Sequence, residues 1–135
     1  MIFKLDEQLA NDTVKVGDMP LSSVLLMNDS RFPWAILVPR RDGLIDLHDM
    51  IETERNRLMS EAVAVSAALQ KLTGASKMNI AALGNVVRQL HVHVIARNAD
   101  DDAWPRPVWG VGTPAPYEES EAQACAAALR AALGI

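Results

Sequence analysis

The amino-acid sequence predicts an α+β domain in which an antiparallel sheet of about five strands carries one long helix and a C-terminal helix. Two apolar runs, Val24 to Met27 and Ala35 to Val38, flank the turn-forming stretch Asn28-Asp29-Ser30-Arg31-Phe32-Pro33, the pattern of an antiparallel hairpin. Leu58, Ala62, Val65, Leu69 and Leu72 recur at spacings of four and three, which places them on one face of a helix. A later stretch, Gln89 to Ala96, alternates apolar residues with two histidines, and on a strand that alternation separates two faces.

Taken in order, residues 5 to 19 read as a short helix or turn leading to a strand around Val14-Lys15-Val16, with Gly17-Asp18 as the following turn. After the hairpin, Pro39 and Arg40-Arg41-Asp42-Gly43 close the second strand. The long helix runs from about Glu52 to Leu72, and Gly74 stands where a left-handed residue would end it. Strands at Lys77 to Leu83 and Gln89 to Ala96, joined through Gly84-Asn85, form a second hairpin. From Asn98 the repeated prolines and glycines around Trp104 and Trp109 deny the backbone a regular ladder. Tyr117 to Leu133 is Ala-rich, with Glu118, Glu119 and Glu121 placed to complement a helix dipole. No linker divides the chain, so residues 1–135 read as one domain with its core at about 20–110 and an arm and helix at 98–135.

With 135 residues, 50% of them hydrophobic, the chain can bury the core of one domain. A net charge of -4 argues against a protein that grips a nucleic-acid backbone. Acidic residues interrupt the N-terminus, Met1 to Glu7, before an export signal could form, and the chain lacks the ~18 to 20 uncharged apolar residues that a bilayer crossing needs. A cytoplasmic protein without membrane or nucleic-acid partners is the expectation. The single cysteine, Cys125, suits a reducing compartment and reads as a packing residue. Arg88 and Arg97, flanking the last strand, read as surface arginines.

The chemistry concentrates in Gln89-Leu90-His91-Val92-His93-Val94-Ile95. As a strand, this places Gln89, His91 and His93 on one face with neighbours roughly 6 to 7 Å apart, within reach of one small ligand. Imidazole suits phosphate chemistry, because its neutral form is a nucleophile while a neighbouring ring supports developing negative charge. Two other readings stay open on the pattern alone: the polar face of a half-exposed strand, and a metal held by the His pair at i, i+2. Neither a phosphate-cradling P-loop, nor a dinucleotide fingerprint, nor a serine nucleophile elbow is present.

These residues resemble the signature of the histidine-triad (HIT) family, His-φ-His-φ-His-φ-φ with φ apolar, in a bacterial-type form with Gln89 at the first position. The resemblance takes in Asn28, the long helix, Asn79, the Gly84-Asn85 turn and the Trp-bearing arm. It implies a nucleotide hydrolase or nucleotidyl transferase acting on the α-phosphate of a small nucleotide, such as a dinucleoside polyphosphate or a nucleoside phosphoramidate. His91 then matches the nucleophile that forms a covalent nucleotidyl-histidine, and His93 the residue that contacts the phosphate oxygens. Asn28 resembles the ribose contact, while Asn79 and Asn85 resemble amides that bind phosphate or leaving group. No metal or other cofactor is required by that route, and a homodimer with joined sheets is implied. Gln89 replaces the usual histidine; its carbonyl still orients the His91 ring, but its amide carries no ionisable proton. Ala35 stands where many members carry a further histidine behind the first, so the two replacements read as a paired change.

Overall fold

The computed structural model describes residues 2–135; Met1, where the N-terminal reading begins, lies outside them. Five strands form one sheet in the order β1-β2-β3-β5-β4, with β1 at Thr13–Asp18, β2 at Ser22–Met27, β3 at Trp34–Pro39, β4 at Lys77–Ala81 and β5 at Val92–Arg97. Every neighbouring pair is antiparallel. Helix α1 (Glu7–Asp12) precedes the sheet, α2 (Glu52–Thr73) crosses between its two hairpins, and α3 (Glu119–Leu133) closes the chain.

Alternation along the strands divides the interior into two layers. Leu26 and Leu37 point to the helical side with Val92 and Val94, where they meet Leu58, Ala62 and Val65 of α2 and Ala126 and Leu129 of α3. Each fully buried leucine contributes roughly 1.5 to 3 kcal/mol. Phe32, Trp34, Ile36 and Ile95 point the other way and are covered by Leu9 of α1 and by Val108 of the arm. Gly74 ends α2 at φ 68°, the left-handed geometry that glycine adopts without steric cost.

Several local expectations are corrected. Gly17 and Asp18 belong to β1, at and just after a register shift. The turn comes later, closed by Met19 N–H donating to Ser22 O at 2.8 Å. The buried carboxylate of Glu61 on α2 accepts from the N–H groups of Leu21 and Ser22 at 2.8 and 3.0 Å, a tertiary contact that selects where the chain reverses. Leu72 is exposed at the end of the helical stripe, and Cys125 is exposed beside the Ala122, Ala126 and Leu129 row that α3 does bury. Ala35 faces the helices with Leu37, on the opposite side of the sheet from His93, so no pairing with Gln89 arises there.

Arg97 is the largest correction, since only 2% of it is exposed. Its guanidinium donates to Asp101 at 2.7 and 3.1 Å, to Asn79 Oδ1 at 2.9 Å and to Arg106 O at 2.8 Å, and it lies over the Trp104 ring. Bonding to this guanidinium holds the Asp101 carboxyl at about 2. An irregular arm without a ladder is thereby fixed to the end of β5 by one buried, multiply bonded charge pair.

Candidate active site

The site is built where β4 passes to β5. The strand expected at residues 89–96 begins only at Val92, and β4 stops at Ala81, so residues 82–91 form a loop. The reason is a competing partner: Leu90 N–H donates to Leu44 O at 3.0 Å rather than to the sheet, while the Leu90 side chain enters the helical core. Gly84 turns this loop at φ 64°. His91 still reaches the face of His93, with ring centroids 4.8 Å apart and planes inclined by 69°.

Both rings are about 95% buried, each with 5% of its surface exposed, and each has its tautomer dictated by one neighbour. Nδ1 of His91 lies 2.7 Å from the carbonyl oxygen of Gln89. A carbonyl only accepts, so Nδ1 carries the proton and the lone pair sits on Nε2. His93 is wired the opposite way: the Trp34 indole N–H donates to its Nδ1 at 3.0 Å, which leaves the proton on Nε2. Burial, and then the adjacent His91, push the His93 pKa down to about 3. The pair thus joins an imidazole with a free lone pair to a neutral imidazole that donates.

Trp109 brings the arm into the site, edge-on to His93 at 4.9 Å and to Trp34 at 5.9 Å. A cleft of about 350 Å³ is lined by both histidines, both tryptophans, Asn85 and residues of α1 including Asp12. An adjoining cleft of about 380 Å³ shares Asp12, Met27 and Trp34 and contains Asn28. On the other flank, a cavity of about 250 Å³ is lined by His91, Gln89, Asp46 and His48; Leu83, Gly84 and His91 form the wall common to it and the first cleft.

The expected site residues are therefore only partly brought together. His91, His93 and Asn85 share one cleft, and Asn28 stands in the next, its Oδ1 accepting from Tyr117 N–H at 2.9 Å. Gln89 contributes its carbonyl, but its side chain turns to the N-terminal segment: Oε1 accepts from Asp6 N–H at 2.8 Å and Nε2 donates to Lys4 O at 2.9 Å. Asn79 sits on β4 with its oxygen committed to Arg97, outside these clefts. Sequence reasoning missed Trp34. Trp34 had one available signal, its phase with Ile36, the residue that pairs with His93. Among the described residues no three His, Cys, Asp or Glu side chains come together as a metal-binding group, and no helix is long and apolar enough to cross a membrane.

The HIT domain family matches residues 8–100. A histidine triad protein from Bradyrhizobium japonicum is 47% identical, with 98% of this chain and 99% of that chain covered at a TM-score of 0.95. Another, from Marinobacter aquaeolei VT8, is 46% identical over 99% of this chain and 98% of that one, also at 0.95. A third, from Sinorhizobium meliloti 1021, is 47% identical over 94% of each chain at 0.92. No curated protein matches the chain. A Zn-bound histidine triad family protein from Mycobacterium smegmatis, at 17% identity and a TM-score of 0.65, shares the fold alone. The five-stranded sheet, the imidazole pair at the head of β5 and the match across most of the sequence lead to one assignment: this chain belongs to the HIT domain family.

Proposed function

We propose that the protein is a nucleotide hydrolase or nucleotidyl transferase acting on the α-phosphate of a small nucleotide through a covalent nucleotidyl-His91 intermediate. The observation that carries the reading is the 2.7 Å contact between His91 Nδ1 and the Gln89 carbonyl, which leaves Nε2 as the nucleophilic atom. Attack by Nε2 forms an N–P bond as the bond from phosphorus to the leaving group breaks. The positive charge that develops on the His91 ring strengthens its bond to the Gln89 carbonyl. His93 donates its Nε2–H to a phosphate oxygen from a residue that is itself almost wholly buried, where such a bond acts more strongly than in water. Hydrolysis of the N–P bond then frees the nucleoside monophosphate, or an acceptor takes the nucleotidyl group. The route needs no metal or other cofactor.

Asn85, in the same cleft as the imidazoles, is assigned to the phosphate, and Asn28 to the ribose through its remaining amide hydrogens. Asn79 is assigned to holding Arg97. The physiological form is a homodimer in which a second copy covers the edge of the sheet. Edge strand β4 exposes 42% of Ile80 beside Met59 of α2, which is 59% exposed; an Ile80→Asp variant that sediments like the parent protein would reject this dimer face.

Intact-mass measurement after mixing with a nucleoside phosphoramidate or a diadenosine polyphosphate tests the chemistry directly. A nucleotidyl adduct is expected on the parent protein and none on His91→Ala, whose turnover falls by orders of magnitude while its fold persists. Tight nucleotide binding with neither adduct nor turnover would instead identify a non-catalytic nucleotide-binding protein.

A further inference from the structure

We infer that Asp12, the last residue of α1, makes the site select ribonucleotides by accepting a hydrogen bond from the 2′,3′-diol of the sugar. This deepens the nucleotide reading and rests on it, since it takes the phosphate to sit at His91 and His93. Asp12 lines both the cleft of the two histidines and the adjoining cleft that contains Asn28. A ligand that reaches from the imidazoles to Asn28 therefore passes it. The two clefts have Asp12, Met27 and Trp34 in common, and of these Asp12 alone carries a side-chain oxygen.

The fold holds this carboxylate in place and puts a complementary group beside it. Gln8 and Asp12 stand one turn apart on one face of α1, and Gln8 Nε2 donates to Asp12 Oδ2 at 2.8 Å, which leaves Oδ1 for a ligand. The backbone carbonyl of Asp12 accepts from Asn28 N–H at 3.0 Å, one step beyond the Thr13 and Met27 pair of β1 and β2, so the two residues are neighbours at the end of that ladder. The Asn28 side-chain oxygen is taken by Tyr117 N–H at 2.9 Å, and what Asn28 offers a ligand is its amide hydrogens. Asp12 supplies the matching acceptor. A vicinal diol uses such a combination, because each hydroxyl donates one hydrogen and also accepts.

Helix stability does not account for a carboxylate at this position. Negative charge at the C-terminal end of a helix opposes the dipole, and the last turn of α1 carries no basic residue to offset it. Nor is phosphate what the carboxylate meets, because like charges repel. The sugar and the base remain. A guanine edge with two adjacent donors would call on both carboxylate oxygens, and Gln8 occupies one of them. A hydroxyl needs only the other.

Calorimetric affinities of the full chain for AMP and for 2′,3′-dideoxy-AMP test the assignment without relying on turnover. The parent protein is expected to prefer AMP by about 10- to 100-fold, the range for a hydrogen bond to a charged group, and Asp12→Ala to cut that preference by about fivefold or more. Asp12→Asn, which keeps the size of the side chain, should act in the same direction. Because the preference is a ratio within each variant, an unfolded fraction does not move it. A parent protein that binds both nucleotides alike, or a smaller change in Asp12→Ala, overturns the assignment. So does an altered preference between AMP and GMP at constant sugar preference, which would make Asp12 a base contact. Mixing the same samples with the 4-nitrophenyl ester of AMP reports separately on His91. Binding with the expected sugar preference but no nucleotidyl adduct removes the nucleophile and leaves Asp12 standing, whereas no binding of AMP removes the nucleotide cleft and Asp12 with it.

Discussion

The indole N–H of Trp34 donates to Nδ1 of His93 at 3.0 Å, and this bond decides which nitrogen of the second imidazole faces the cleft as a donor. Trp34→Phe keeps an aromatic ring but removes the donor and leaves a space where the second ring of the indole stood, so His93 loses its tautomer lock and a buried acceptor goes unmet, at about 1 to 3 kcal/mol on top of the cavity. The expected result is a 10- to 100-fold fall in kcat with a smaller change in KM. Nitrogen-detected NMR checks the cause, because the His93 proton should move from Nε2 alone to a mixture of both nitrogens.

Acid should weaken the fold in two overlapping windows. His93 has a pKa of about 3 in the folded chain against an ordinary 6.5, so between those values the unfolded chain binds the extra proton. The stability this confers is complete above pH 6.5 and is lost as pH falls toward 3. Asp101, at about 2 against 3.8, contributes above 3.8 and loses its share as pH falls through 2. Across the upper window a full proton difference corresponds to roughly 1.4 kcal/mol per pH unit. Denaturant titrations from pH 4 to 7 should show a shallower slope in His93→Gln, and equal slopes would contradict the buried neutral imidazole.

Asp101→Ala isolates the anchor of the arm. It leaves the Arg97 guanidinium buried without its carboxylate, a loss of ~3 to 5 kcal/mol for pairs of this type. The carboxylate also accepts from Ala103 and Trp104 N–H at 3.0 and 2.7 Å, so the arm should loosen as a unit. Limited proteolysis between residues 98 and 112 is the measurement; cleavage no faster than in the parent protein would show that other contacts hold the arm.

Gln89→Ala separates the two halves of that residue. The backbone carbonyl that orients His91 survives, whereas the bonds to Asp6 N–H and Lys4 O are lost. Hydrogen exchange of residues 4–12 should quicken and KM should rise several-fold, because α1 forms part of the cleft wall. A collapse of kcat at constant KM would mean that the amide acts on the reacting atoms instead.

Much of this architecture was legible in the chain because it depends on local period. The turn stretch between Val24–Met27 and Ala35–Val38 specified the β2 and β3 hairpin, the spacing of Leu58, Ala62, Val65 and Leu69 specified α2, and the alternation through Val92 and Val94 specified which face His93 would take. The residues misread were those whose neighbours lie far along the sequence. Gln89 answers to Lys4 and Asp6, Arg97 to Asn79 on the neighbouring strand, and the turn after β1 to Glu61. Nothing in the periodicity around any of them announces such a partner.

The sequence by itself determined the strands, the long helix and the pairing of two imidazoles on one side of the last strand, since backbone geometry repeats every two or 3.6 residues whatever surrounds it. Only the tertiary structure decided how those imidazoles are protonated and enclosed. The proton on each ring is assigned by a carbonyl or an indole, and the second cavity exists because residues 44–49 pack against the loop before His91. Hydrogen-bond direction and enclosed volume are properties of groups meeting across the fold, and no local pattern encodes them.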